Sequence, residues 1–166
     1  FSKYFSMTGW RLGWMIVPDD LARSIECLSQ NLFISPPSLS QHAACAVFDC
    51  TEELDANVAR YARNRALLLE ELPKAGFDRL APADGAFYVY LDVGSTGLTS
   101  AEFCDRALAE ARVALTPGHD FGVAGADRYV RLSYAASTDD LTLAIDRLRT
   151  FVGAGHVPLR SGGTIP

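Results

Sequence analysis

A lysine and an arginine stand eight positions apart near the start of the chain, in FSKYFSMTGWRLGW, as Lys3 and Arg11. Lysine is the side chain that offers a primary amine, and a neutral amine condenses with an aldehyde to give an imine. Neutrality near pH 7 needs a lowered pKa, from burial or from a neighbouring cation, and Arg11 is a candidate for that cation. The same guanidinium matches phosphate oxygens bidentately and keeps its charge. Fully extended, such a segment spans at most about 26–29 Å. Lys3 and Arg11 can therefore serve one small ligand only if the chain folds back, and Gly9 stands where a turn with positive φ is tolerated. A third candidate is Arg131 in YVRLSY. There Val130, Leu132 and Tyr134 point one way and Tyr129, Arg131 and Ser133 the other. Arg131 is thus presented away from the strand's own core, where it can grip a carboxylate bidentately. On residue type alone, the commoner arrangement is a solvated lysine and arginines in structural ion pairs.

The elements that must position these residues follow from periodicity. Residues 11–17, RLGWMIV, are apolar after the arginine and end at Pro18, which reads as a strand buried on both faces. Asp19 or Asp20 then caps a helix with Leu21, Ile25 and Leu28 as its apolar stripe, and this helix must stop before Pro36-Pro37. Ser38-x-x-Gln41 reads as a capping box for a helix carrying Ala44, Val47 and Phe48. Thr51 caps a long helix with Leu54, Val58, Tyr61, Arg65, Leu68, Leu69 and Leu72 on one face and Arg60, Arg63 and Asn64 turned away. Pro73 and Gly76 end it, and the stem of Arg65 snorkels. AFYVYLD at 86–92 alternates as a strand with Phe87, Val89 and Leu91 on one face. Thr99-x-x-Glu102 opens a helix lined by Phe103, Ala107, Leu108 and Ala111. VALTPG at 113–118 and YVRLSY at 129–134 are further strands. Ser137-x-x-Asp140 opens the last helix, with Leu141, Ile145, Leu148 and Val152 inside. From Gly153 onward Gly, Pro, Ser and Thr dominate, which predicts a flexible tail over 153–166. After residue 50 the order helix, strand, helix, strand, strand, helix predicts a small α+β layer with helices on one sheet face.

Bulk properties narrow the function. Of the 166 residues, 49% are hydrophobic and 21% charged, the profile of a soluble globular protein with a sizeable core. The net charge of −5 and the lack of any Lys/Arg run argue against a nucleic-acid partner. No stretch is apolar enough to span a bilayer, and no spacing suggests a metal site. Cys27, Cys45, Cys50 and Cys104 form no C-x-x-C pair and read as buried free thiols of a reducing cytosol. His42 reads as structural, and His119 and Asp120 as solvated.

The string Phe1-Ser2-Lys3-x-x-Ser6-Met7-x-Gly9-x-Arg11-Leu12-Gly13 resembles the pyridoxal-phosphate attachment signature of the class I and II aminotransferases, the aspartate aminotransferase superfamily. The resemblance extends to about residue 152 and includes Gly85-Ala86-Phe87-Tyr88, Pro117-Gly118-x-x-Phe121-Gly122 and Val130-Arg131-Leu132-Ser133-Tyr134. It implies an α/β chain, the C-terminal segment of a fold-type-I transferase, with a last piece of the large-domain sheet and an α+β small domain. Residues 1–30 would end the large domain, 31–50 form an interdomain or interface segment and 51–152 the small domain. It implies that Lys3 holds pyridoxal 5′-phosphate as an internal aldimine and shuttles the substrate proton. It likewise implies that Arg11 binds the cofactor phosphate and Arg131 the substrate α-carboxylate. Asn31–Pro36 matches a region that reaches the neighbouring subunit's site in relatives, so a cytoplasmic homodimer acting on an amino acid and a 2-oxo acid is expected. The family's pyridine-nitrogen aspartate lies upstream of the lysine, so Phe1 is not expected to be a native start and the chain alone is expected not to transaminate. Two other activities share these motifs: carbon–sulfur lyases of the same fold, and aminotransferase-like sensor domains of transcription regulators.

Overall fold

The computed structural model describes residues 1–153, so the expected flexible tail lies, from residue 154 on, outside the described residues. The chain divides into two compact units, Phe1–Ala59 and Arg60–Pro166.

The first unit begins with an irregular loop holding one 3-10 turn, Thr8–Trp10. It continues through α1 (Asp19–Leu32) and α2 (Ser38–Ala46) into the start of α3 (Thr51–Lys74). Residues 11–17 form no strand. Trp14, Met15 and Ile16 are instead exposed, Ile16 at 87%. A strand needs a neighbour to take its backbone hydrogen bonds, and the first unit holds no other strand among the described residues. The expected caps also differ. Pro18 precedes α1, no side chain caps it, and Leu21 and Leu28 of its stripe are exposed. Pro37 precedes α2, and Gln41 Nε2 donates to Pro36 O at 2.9 Å instead of reaching back to a cap. Thr51 Oγ1 donates to Phe48 O at 3.4 Å.

The second unit follows the expected order. After α3 come β1 (Tyr88–Asp92), α4 (Ser100–Arg106), β2 (Thr116–Pro117), β3 (Tyr129–Ser133) and α5 (Thr138–Gly153). A π-helical stretch, Ala107–Ala111, prolongs α4. The sheet is antiparallel in the order β1-β3-β2. Val89 and Leu91 of β1 and Val130 and Leu132 of β3 face the core. They cluster there with Leu68 and Leu72 of α3, Phe103 of α4 and Leu141, Ile145 and Leu148 of α5. Tyr88, Tyr90, Tyr129 and Arg131 fall on the alternate positions, which are only partly buried.

Two caps form as read from sequence. Thr99 and Glu102 make the reciprocal box at α4, and Ser137 Oγ both donates to Asp140 Oδ2 and accepts from Asp140 N at α5. The reading of α3 needs one correction. Asn64, expected to turn away, is fully buried. Its Nδ2 donates to Tyr134 O and Ala136 O, both at 3.0 Å, and its Oδ1 accepts from Thr138 Oγ1 at 2.8 Å. It ties α3 to the end of β3 and the start of α5. Asn64→Ala leaves the buried Tyr134 carbonyl without this donor and unties the exposed Ala136 and Thr138, and the expected loss of about 1–3 kcal/mol is checked by the urea midpoint. Arg65 behaves as expected: its Nε donates to Ala83 O, and its head lies 3.8 Å from Asp84.

Of the four cysteines only Cys104 is buried; Cys45 and Cys50 are exposed and Cys27 is half-buried. Burial, with Asp105 and Asp120 adding to it, pushes the Cys104 thiol from 9.0 up to about 11.

Candidate active site

The first twelve residues fold back on themselves. Met7 N donates to Phe1 O at 3.3 Å and Thr8 Oγ1 to Ser2 O at 2.7 Å. The reversal uses positive φ at Ser6 (55°) and Arg11 (51°), while Gly9, the expected pivot, sits in the 3-10 turn without it. Non-glycine residues in this region are uncommon and strained, and such strain tends to gather at functional sites.

Contacts within the first unit pin the loop. Phe1 and Phe5 pack on Phe48, with ring centroids 6.1 and 5.4 Å away. Tyr4 donates to Asp55 Oδ1 at 2.7 Å, and that bond raises the phenol's pKa. Ser40 Oγ donates to Trp10 O at 2.8 Å. Met7 is the loop's buried anchor at 4% exposure. The loop therefore has a fixed shape while Lys3 and Arg11 project from exposed positions. Arg11 Nη1 donates to Thr8 O at 3.0 Å, one of the five N–H donors of its guanidinium.

Arg131 belongs to the second unit, so the structure joins Lys3 and Arg11 on one loop and describes Arg131 separately. Its guanidinium carbon lies 4.1 Å from the Tyr88 ring centroid and 4.4 Å from that of Phe121. Nη2 donates to Thr116 Oγ1 at 3.4 Å, across the β2–β3 pair. Among the described residues Arg131 makes no ion pair with a carboxylate. The Pro117-Gly118-x-x-Phe121 motif explains part of this arrangement. A Cβ on Gly118 would collide with the carbonyl oxygens of Ala126 and Tyr129 and with the Tyr90 hydroxyl. Only glycine lets the turn close tightly enough to bring Phe121 back over the sheet.

Other candidates sit as follows. Leu32 at the end of α1 and Phe33 and Ile34 just after it are exposed, and Ile34 has φ 64°, an outlier for a β-branched residue. His119 and Asp120 are exposed with 3.7 Å between them. His42 is exposed on α2. Among the described residues no group of three or more His, Cys, Asp or Glu could hold a metal ion. No described helix is long and apolar enough to cross a membrane. Tyr88, Phe121 and Thr116 around Arg131 were not identified as site residues from sequence. Tyr88 shares the outer sheet face by period-2 alternation, but Phe121 comes from a turn whose path no periodicity reveals.

Comparison with known proteins decides the family. The profile described as aminotransferase class I and II matches residues 1–148. The chain belongs to that family. Valine–pyruvate aminotransferase of Mycobacterium tuberculosis is 49% identical over 154 residues, covering 92% of this chain and 40% of that protein. The (5-formylfuran-3-yl)methyl phosphate transaminase of Methanocaldococcus jannaschii is 39% identical with the same coverage. The crystal structure of an aminotransferase from M. tuberculosis superposes with a TM-score of 0.87 at 48% identity, over 93% of this chain and 40% of that one. Aspartate aminotransferase from Thermus thermophilus with maleate gives 0.80 at 33% identity, over 90% and 39%. The chain thus spans about 40% of the length of the curated relatives it matches. Its fold is that of the matching segment of fold-type-I enzymes, mixed α/β. Members of this family generally depend on pyridoxal phosphate.

Proposed function

We propose that this chain is the C-terminal part of a longer, homodimeric pyridoxal-phosphate-dependent aminotransferase of the cytoplasm. Lys3 is its catalytic lysine, Arg11 its cofactor-phosphate ligand and Arg131 its substrate-carboxylate ligand. The observation that carries the reading is Arg131, a part-buried guanidinium between two aromatic rings with no carboxylate partner among the described residues. A cation held so, in a member of an aminotransferase family, suits an incoming carboxylate.

The residues fit the cofactor by donor chemistry. A loop of fixed shape carries one primary amine, which an aldehyde requires, and one guanidinium, which suits a phosphate. When bound, pyridoxal phosphate supplies an electron-withdrawing ring that stabilises negative charge on the substrate α-carbon. Arg131 fixes the carboxylate end of the substrate, which orients its Cα–H bond. Lys3 Nζ takes the proton from Cα in one direction and returns it in the other. Asn31–Pro36, with its exposed Leu32, Phe33 and Ile34, serves the dimer interface near the partner's site.

The name of the M. tuberculosis relative makes valine and pyruvate the first substrates to try. The full-length protein loaded with cofactor is expected to convert valine, without any acceptor, to one equivalent of 3-methyl-2-oxobutanoate per site and release no ammonia. Added pyruvate then becomes alanine. Ammonia and thiol released from an S-alkylcysteine, with no amino transfer, would replace this reading with a carbon–sulfur lyase.

A further inference from the structure

The surroundings of Arg131 go beyond a lone binding cation. Tyr88 lies diagonally across the β1–β3 pair, since Tyr88 pairs with Ser133 and Tyr90 with Arg131. A diagonal neighbour is within reach of a long side chain. Phe121 arrives from the turn after β2, beyond Gly118–Asp120. Tyr88 and Phe121 each touch another ring, Phe87 and Tyr90 respectively, but not one another. The two rings therefore approach the guanidinium from different sides, while Thr116 takes a hydrogen bond from Nη2.

We infer that Tyr88 and Phe121 are positioning residues for the substrate carboxylate: they clamp the plane of the Arg131 guanidinium so that its remaining in-plane donors face the ligand. The inference rests on the proposed function. A free arginine side chain carries much rotamer freedom, which binding must remove, and a clamped one has lost it beforehand. Ring faces also keep water off the cation, which strengthens its attraction for an anion. Neither ring has an evident structural need to be there. Phe121 is 50% exposed and Tyr88 is only half-buried, so both contribute little to the core.

The test uses the full-length holoenzyme with Phe121→Leu, Tyr88→Leu and Tyr88→Phe. Each leucine variant is expected to raise KM for both the amino acid and the 2-oxo acid by about 2- to 30-fold while kcat holds. The Kd of 3-methylbutanoate, a carboxylate without the amine, rises in step. Binding of 2-methylpropylamine, an amine without the carboxylate, does not change. Tyr88→Phe keeps a ring and recovers the affinity lost in Tyr88→Leu. Unchanged KM in both leucine variants overturns the clamp, as does a parallel fall in kcat and in amine binding. Arg131→Leu separates the two levels. If it raises KM and the ring variants do not, only the clamp falls; if it too leaves KM unchanged, the carboxylate assignment falls with it.

Discussion

Lys3→Ala in the full-length, cofactor-supplied protein is expected to reduce transamination by at least about 10⁴-fold, the upper range for loss of a positioned acid–base group. The substitution removes the proposed covalent attachment and the proposed proton carrier together, so the two losses appear as one. Folding should be untouched, because Lys3 is exposed on a loop held by Phe1, Tyr4, Phe5, Met7 and Thr8. The thermal midpoint is therefore the control. Two further readouts separate chemistry from binding. After borohydride reduction, peptide mapping of the wild type should place a pyridoxyl group on residue 3, and the variant should carry none. Small primary amines added to the variant should restore part of the proton transfer. Lys3→Arg keeps the charge but offers no neutral amine at working pH, and should be as inactive as the alanine variant. Attachment at another lysine, or full activity in Lys3→Ala, removes the central assignment.

The second unit was legible because its signals are local and agree with one another. In β1 and β3 the alternation of Val89, Leu91, Val130 and Leu132 against tyrosines and Arg131 states which face meets the helices. The boxes at Thr99 and Ser137 mark helix starts through bonds made within four residues. The first unit was less legible because its apolar run at 11–17 has the composition of a strand but no strand of its own unit to bond. Composition reports that a segment suits a sheet, not that the sheet is at hand. Ser38-x-x-Gln41 forms no box because the cap position falls on Pro37, which has neither a side-chain acceptor nor an N–H, and Ser38 lies inside the helix. Asn64 departs from its expected face because polarity alone does not make a residue face water. It lies three residues after Tyr61 and four before Leu68, on the buried stripe, and is tolerated there because Tyr134, Ala136 and Thr138 satisfy its amide. The candidate residues themselves were readable by motif and, for Arg131, by strand alternation. The setting of Arg131 was not, because it depends on a cross-strand diagonal and on a turn closed by Gly118.

Arg131→Leu is expected to lower kcat/KM for an amino acid by about 10²- to 10⁴-fold, from two charge-assisted hydrogen bonds of about 1.5–3 kcal/mol each. Arg131→Lys should lose about 10- to 100-fold, since the charge survives but the planar fork does not. The size of the loss alone does not prove contact with substrate, because the guanidinium also bonds Thr116 and lies against Tyr88 and Phe121. A substrate lacking the carboxylate supplies the missing comparison. With 2-methylpropylamine as donor, the wild type should be slow, and Arg131→Leu should be no slower. The variant then removes nothing that this donor uses, and the coupling between Arg131 and the carboxylate is the difference between the two substrates. A parallel loss on both would mean that Arg131 supports the sheet face and that the carboxylate is held by another group. Loss confined to the amino acid and the 2-oxo acid, with the amine unaffected, identifies the carboxylate as the partner that the described residues do not supply.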